Sequence, residues 1–395
     1  MTTFHPIASA GPANAALRGT LGSPGAVARR ARRARRGLAR RGLAWRGLAR
    51  LLPAAVLAAT ALAPLLAPAP ARAAEEVNLY SYRQPFLIQP LLDAFTAETG
   101  IKVNIVYAQK GMLEKLKAEG MNSPADAVLT VDIGRLTDLV DADLVQPVQS
   151  KVLEANIPAH YRHPDGKWFG LSARARIFWA SRDRVKPGEV ASYDDLAKPA
   201  MKGRLCLRSG KHAYNVSLIA ARIAHNGIDA TRDWLVKVRD NLARKPQGND
   251  RAQAKAIYEG VCDLGVANTY YTGKMATNEK KTEQQDWAKA VRVVFPDQDG
   301  VGTHVNVSGA AVTRAAKHRD NAVRLLEFLS GDAAQKLYAE RNFEYPVKSG
   351  VALHPLVASW GAFKADTISL AEVAKHRAAA SRLVDEVKFN DGPGS

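Results

Sequence analysis

The 395-residue chain contains two cysteines, too few for a disulfide framework or a cysteine-based zinc site. Its first 73 residues contain no lysine and no acidic residue, but they carry twelve arginines. The formal net charge of +18 points at first to a nucleic-acid partner. Without those arginines, residues 74–395 hold 44 basic and 38 acidic groups, a net charge of +6, which is ordinary for a soluble domain and argues against nucleic acid. Past the amino terminus, no stretch reaches the roughly 18 to 20 uncharged apolar residues of a membrane span. A glycine-rich phosphate loop, an HExxH helix and a GxSxG elbow are all missing, so nothing in the sequence speaks for catalysis.

The apolar share of 47% excludes a disordered chain. The 322 residues from 74 onward exceed what one compact unit usually holds, so two lobes are expected. The amino-terminal segment reads as an address. Residues 29–50 are an Arg/Gly/Ala/Leu repeat, residues 51–66 an apolar run, and Ala71-Arg72-Ala73 a small-x-small site. These are the three parts of a secretory signal, with cleavage expected before Ala74 and export to the periplasm. Arg40-Arg41-Gly42-Leu43 loosely matches a twin-arginine signal. A DNA-binding arm would have no use for the apolar run and the cleavage site. Because the periplasm is oxidising, Cys206 and Cys262 are candidates for a disulfide.

Along residues 74–395, strands are expected at 77–80, 101–107 and 125–131. Helices lie between them, one presenting Ile88, Leu91, Leu92 and Phe95 on a single face and ending at Gly100. Asp132 is placed to cap the next helix. The second half repeats the class, with strands at 176–180, 203–207, 263–268, 291–295 and 305–312, a polar interruption at 278–286, and helices at 215–225, 230–242, 321–329, 333–340 and from 370 onward. The expected fold class is therefore α/β: two lobes, each a mainly parallel sheet flanked by helices, joined by crossing strands, with the ligand in the crevice beyond the carboxyl ends of the strands.

The most informative window is Asn268-Thr269-Tyr270-Tyr271-Thr272-Gly273, at the end of an apolar strand. In a regular strand neighbours point to opposite faces, so two adjacent phenols converge only at an irregular end, here a turn closed by Gly273. Converged phenol oxygens are hard donors once deprotonated. With a free pKa near 10 they need a highly charged, oxygen-seeking cation such as Fe3+ to displace the proton. The bland reading, two half-buried aromatics, stands beside this one. A helix is expected to begin near Asp250, where Asn249 is placed for capping or for an anion. Arg83, Arg174, Arg176 and Arg208 sit beside strand ends, and His304 lies where a strand crosses back between the lobes.

Seven segments, in this order, carry a family resemblance: Leu79-Tyr80-Ser81-Tyr82-Arg83-Gln84-Pro85, Ser123-Pro124-Ala125-Asp126, Trp168-Phe169-Gly170, Arg174-Ala175-Arg176, Pro246-Gln247-Gly248-Asn249-Asp250, Asn268-Thr269-Tyr270-Tyr271 and Gly302-Thr303-His304-Val305-Asn306-Val307-Ser308-Gly309. The sequence resembles the periplasmic ferric-iron-binding proteins of ABC transporters. The resemblance implies a type II bilobal periplasmic-binding-protein fold, Tyr270 and Tyr271 as Fe3+ ligands, a synergistic anion such as carbonate, an inner-membrane ABC permease as partner, and a monomer. Arg83 and Arg176 are the expected anion partners. The implied division is 74–176 for the first part of lobe 1, 177–300 for lobe 2, 301–350 for the return to lobe 1, and 351–395 for carboxy-terminal helices. In two places the sequence departs from the family. Gln84 and Pro85 stand where some members have a His-Tyr pair, and Trp179 stands where a further tyrosine is expected. Tyr82, Tyr214 and Asp297 are the candidates to replace that tyrosine. The alternatives are a receptor for another small solute, an anion or a polyamine, in the same cleft, or an enzyme on this fold using Cys206 or His304.

Overall fold

The computed structural model describes residues 75–108 and 110–394; the expected leader and its cleavage point lie outside them. β1 (Glu76–Ser81) is followed by the helix Pro85–Thr99, whose Ile88, Leu91, Leu92 and Phe95 are buried as their spacing predicts. Gly100, at φ 73°, ends that helix in a left-handed turn and donates its N–H to the Thr96 carbonyl, a conformation that suits glycine because it lacks a Cβ. β2 (Lys102–Tyr107), the helix Met112–Glu119 and β3 (Ala127–Thr130) complete the first alternation. The Asp132 carboxylate accepts the Gly134 N–H and caps the helix Ile133–Asp141. β1 pairs parallel with both β2 and β3, so all three carboxyl ends open on one side.

β4 (Phe169–Ser181) is far longer than the segment 176–180 and is buried throughout. The remaining strands are β5 (Leu205–Cys206), β6 (Leu264–Asn268), β7 (Val291–Val294) and β8 (Val305–Val312). The sheet order is β2-β1-β3-β8-β4-β6-β5, with β7 also on β4. Up to Ala175, β4 pairs with β8; from Arg176 onward it pairs with β6 and β7. All of these pairs are antiparallel, as is β3 with β8, whereas β5 and β6 are parallel. Parallel pairing is thus confined to the strands inside each half, because the strands that cross run in opposite directions.

Alternation along β4 distributes its side chains between two cores. Phe178 joins the cluster of Leu218, Trp234 and Leu264, while Ile177 and Trp179 join that of Ala254, Ile257 and Met275. A third cluster, built on Leu79, Phe95, Val128 and Tyr338, fills the first half. Cys206 and Cys262 form a disulfide at the β5–β6 pair. The interruption expected at 278–286 contains the start of a helix, Glu283–Ala290. Only Gln284 and Ala288, one turn apart, are buried on it, too thin a stripe to give a sequence period. The closing segment is two helices, Leu370–Lys375 and Arg377–Glu386.

Candidate functional site

β6 ends at Asn268, and Tyr270 and Tyr271 open the helix Tyr270–Ala276. The expected turn closed by Gly273 is therefore the first turn of a helix, with Gly273 inside it. The glycine serves close packing: a Cβ at this position would stand 2.4 Å from the Phe343 ring. Gly273→Ala is expected to push the tyrosine helix off Phe343 and to cost about 1–3 kcal/mol, read as a lowered midpoint in thermal or urea unfolding. An unchanged midpoint would show that the packing is slack.

On the helix start both phenols face the same space, their ring centroids 4.3 Å apart and their planes at 35°. A third tyrosine meets them. Tyr214 lies in the first turn of the helix Ala213–Asn226, and its hydroxyl is 3.2 Å from that of Tyr270. The His212 ring caps this helix by accepting the Tyr214 N–H at Nδ1, 3.3 Å away. Burial, with Arg208 nearby, pushes the His212 pKa down to about 3, which keeps the ring neutral and able to accept. All three tyrosines line a cleft of about 1360 Å3, its open mouth included.

Burial, and then the neighbouring phenols, raises the Tyr270 hydroxyl well above its ordinary pKa. Tyr271 is raised for the same reasons, burial first and then Tyr214 and Asp250. Both are neutral phenols when the cleft is empty. The lining otherwise is cationic: Arg83, Lys110, Arg135, Arg174, Arg208, Arg251 and Lys274 face a single carboxylate, Glu344. Glu344 is itself held between Arg83 at 2.5 Å and Arg174 at 2.7 Å. Burial works against its ionised form, but the two arginines outweigh it and lower its pKa. Burial also lowers Lys274 to about 8, and its ammonium donates to the Arg341 carbonyl.

The structure separates the other expected site residues. Arg176 is not part of the lining: its guanidinium donates to Asp250 at 2.7 Å, Asn215 at 2.7 Å and Asn268 at 3.1 Å, beneath the cleft. Asp250 also holds Arg208 at 2.7 Å, so this fully buried carboxylate serves two arginines. Arg83 does reach the lining, but its Nη2 is turned to Glu344, Ser172 and Ser308. Tyr82 lines the cleft with its hydroxyl accepting the Leu113 N–H at 3.1 Å and the Arg135 guanidinium 4.0 Å from its ring centre. Asn249 lines it too, with its side chain capping the helix Asp250–Tyr258 by accepting from Ala252.

Trp179 is fully buried in the core, its indole N–H donating to Thr272 at 2.8 Å. His304 and Asp297 line a different cavity with His225 and Asp366. There, burial pushes His304 down to about 4, and its Nε2 lies 3.0 Å from the Ser217 hydroxyl. With Cys206 bonded, neither Cys206 nor His304 offers a nucleophile or a base to this cleft. Among the candidates to replace the tyrosine expected at Trp179, Tyr214 is the one brought to Tyr270. Among the described residues, no group of three or more His, Cys, Asp or Glu is arranged to hold a metal. The phenols are the hard donors of the cleft besides Glu344, which two arginines hold.

Sequence reasoning missed Glu344 and Arg251. Nothing local marks Glu344, because its partners come from the turn after β1 and from β4. Arg251 was visible in the helix-start window. Its guanidinium carbon sits 5.0 Å from the Tyr271 ring centre, and its buried Nε has no hydrogen-bond partner.

Residues 80–336 match the family model described as bacterial extracellular solute-binding protein. The chain is 45% identical over 313 residues to iron uptake protein A1 of Synechocystis sp., covering 79% of this chain and 87% of the relative. Among solved structures, apo ferric ion-binding protein A of Pasteurella haemolytica superposes with a TM-score of 0.76 at 53% identity, over 80% of this chain and 99% of that one. A Trichodesmium protein solved in complex with iron and citrate ligands gives 0.77 at 41% identity, again over 80% and 99%.

Proposed function

Since the chain belongs to the bacterial extracellular solute-binding proteins, we propose that it is the periplasmic component of an ABC transporter, capturing Fe3+ in the cleft for delivery to a membrane permease. The observation that carries this reading is the convergence of Tyr214, Tyr270 and Tyr271 on one wall; the one imidazole in the lining, His212, has its Nδ1 engaged by the Tyr214 N–H. Three phenolates neutralise the charge of a ferric ion. They also leave about three of six octahedral positions open, to be filled by an anion and by the facing wall.

Arg251 stacks on Tyr271, and its guanidinium makes no hydrogen bond or ion pair among the described residues; it is the better anion partner than Arg83 or Arg176, whose guanidinium groups already hold Glu344 and Asp250. Carbonate or a small carboxylate suits a guanidinium there. A polyamine would meet a lining with seven cationic side chains and one carboxylate, itself held by two arginines, which disfavours that alternative.

The proposed division follows the change of partners along β4: residues 74–176 and 301–350 form one lobe, and 177–300 the other. Iron that touches both walls only in the closed form shifts an open–closed equilibrium by its differential affinity. The proposed cleavage before Ala74 removes nothing from the sheet, since β1 begins at Glu76. The protein is proposed to act as a monomer.

Titrating the apo protein with ferric nitrilotriacetate is expected to produce a visible phenolate-to-iron charge-transfer band. Tyr214→Phe, Tyr270→Phe and Tyr271→Phe are each expected to weaken iron binding by more than the roughly 10- to 100-fold that loss of an outer-shell partner costs. A wild-type protein without the band, or three variants with unaltered affinity, would refute the site.

A further inference from the structure

We propose that Tyr107 is a fourth iron ligand, supplied by the wall that faces the three phenols; this rests on the ferric reading of the cleft given above. Tyr107 is the last residue of β2, in parallel register with Ser81 of β1. It therefore sits at the carboxyl end of the first-half strands, beside the turn that carries Arg83, and it lines the same cleft as Tyr214, Tyr270 and Tyr271. Its hydroxyl is buried, yet makes no hydrogen bond. An inaccessible phenol without a partner is a net cost to the empty protein, and such a group at a cleft wall is one that a ligand would satisfy.

The neighbouring oxygens are engaged elsewhere. The Tyr82 hydroxyl accepts the Leu113 N–H, and Glu344 is held by two arginines. Gln84 and Pro85 offer that wall neither a phenolate nor an imidazole. Tyr107 has the same hard-donor chemistry as the three tyrosines opposite, and they leave about three octahedral positions unfilled. A ligand on each wall also gives closure a cause. The bond from Tyr107 forms only when the walls approach, so iron draws them together through an interaction absent from the open state.

Tyr107→Phe separates this assignment from the ferric reading itself. The three-tyrosine wall is intact in the variant, so it still binds iron and still shows a charge-transfer band. The loss of one phenolate leaves the iron more electron-poor, so the band moves to longer wavelength, the phenolate resonance Raman intensity per iron falls, and affinity against nitrilotriacetate drops by about 10- to 100-fold or more. The apo variant melts no lower than wild type, because the substitution removes only an unpaired hydroxyl. An unmoved band with unchanged affinity overturns the proposal. An unmoved band with weakened binding overturns it as well and makes Tyr107 a hydrogen-bond donor to the anion. If wild type shows no band, the ferric reading falls first.

Discussion

The affinity for ferric iron is expected to rise about a thousandfold for each unit of pH across the mildly acidic to neutral range, because three protons leave per iron bound. Burial lifts Tyr270 and Tyr271 above the ordinary phenol range, so the empty cleft holds them protonated throughout. In the proposed site, iron binds the phenolates. Each phenol that ligates must therefore release its proton, and lowering the pH drives the equilibrium back toward free iron. The slope of log affinity against pH counts those protons: three for Tyr214, Tyr270 and Tyr271. It approaches four if Tyr107 also ligates, and returns to three in Tyr107→Phe. Competition against a ferric chelator of known proton linkage measures it, in bicarbonate-free buffer, because bicarbonate bound as carbonate would release a proton of its own. The window stays below the Lys274 pKa of about 8, so that this ammonium adds no proton of its own. A slope of one or less would mean that the phenols stay protonated and that the tyrosines are only walls.

The tyrosine pair was legible because it is local. Two adjacent phenols after an apolar strand call for an irregular backbone wherever the strand goes, and the helix start at Tyr270 supplies it. The caps at Asp132 and Asn249 were legible for the same reason, since each needs only the next few residues. What could not be read was partnership across the sheet. Trp179 looked like a lost ligand because the family resemblance puts a tyrosine on that strand. The alternation of a strand buried on both faces sends it instead into the core, where Thr272 receives its indole N–H. Tyr214, fifty-six residues before Tyr270 and on a separate helix, is brought to Tyr270 by tertiary packing. Arg83 and Arg176 looked like charges waiting for an anion because their carboxylates, Glu344 and Asp250, are distant in sequence. A positive side chain beside a strand end shows charge, and only the fold shows whether that charge is already matched.

Asp250→Ala is accordingly expected to be the most destabilising polar substitution in the cleft floor, at about 3–5 kcal/mol. Asp250 is fully buried and joins three elements: Arg176 of β4, Arg208 beyond β5, and the backbone N–H of Asn268 at the end of β6, 2.9 Å from its Oδ2. Its removal leaves two guanidinium groups facing each other in a dry site, together with an unpaired backbone donor directly before the tyrosines. Asp250→Asn keeps the shape and one acceptor but not the charge, and should fall between alanine and wild type. Burial alone would raise the Asp250 pKa, yet the two arginines and the Asn268 N–H hold it below the ordinary carboxylate value. Its contribution is therefore complete above pH ~4 and is lost only as pH falls through the lower folded value. At neutral pH, urea unfolding of the three proteins gives the ranking, with Asp229→Asn as the control. That residue pairs with Arg232 at the surface, where a salt bridge contributes about 0–1 kcal/mol. If Asp250→Ala unfolded within the control's margin, the buried carboxylate would not be what holds the strand ends in register. If it folded with reduced stability, iron binding should weaken as well, because the same aspartate fixes Asn268, two residues before Tyr270.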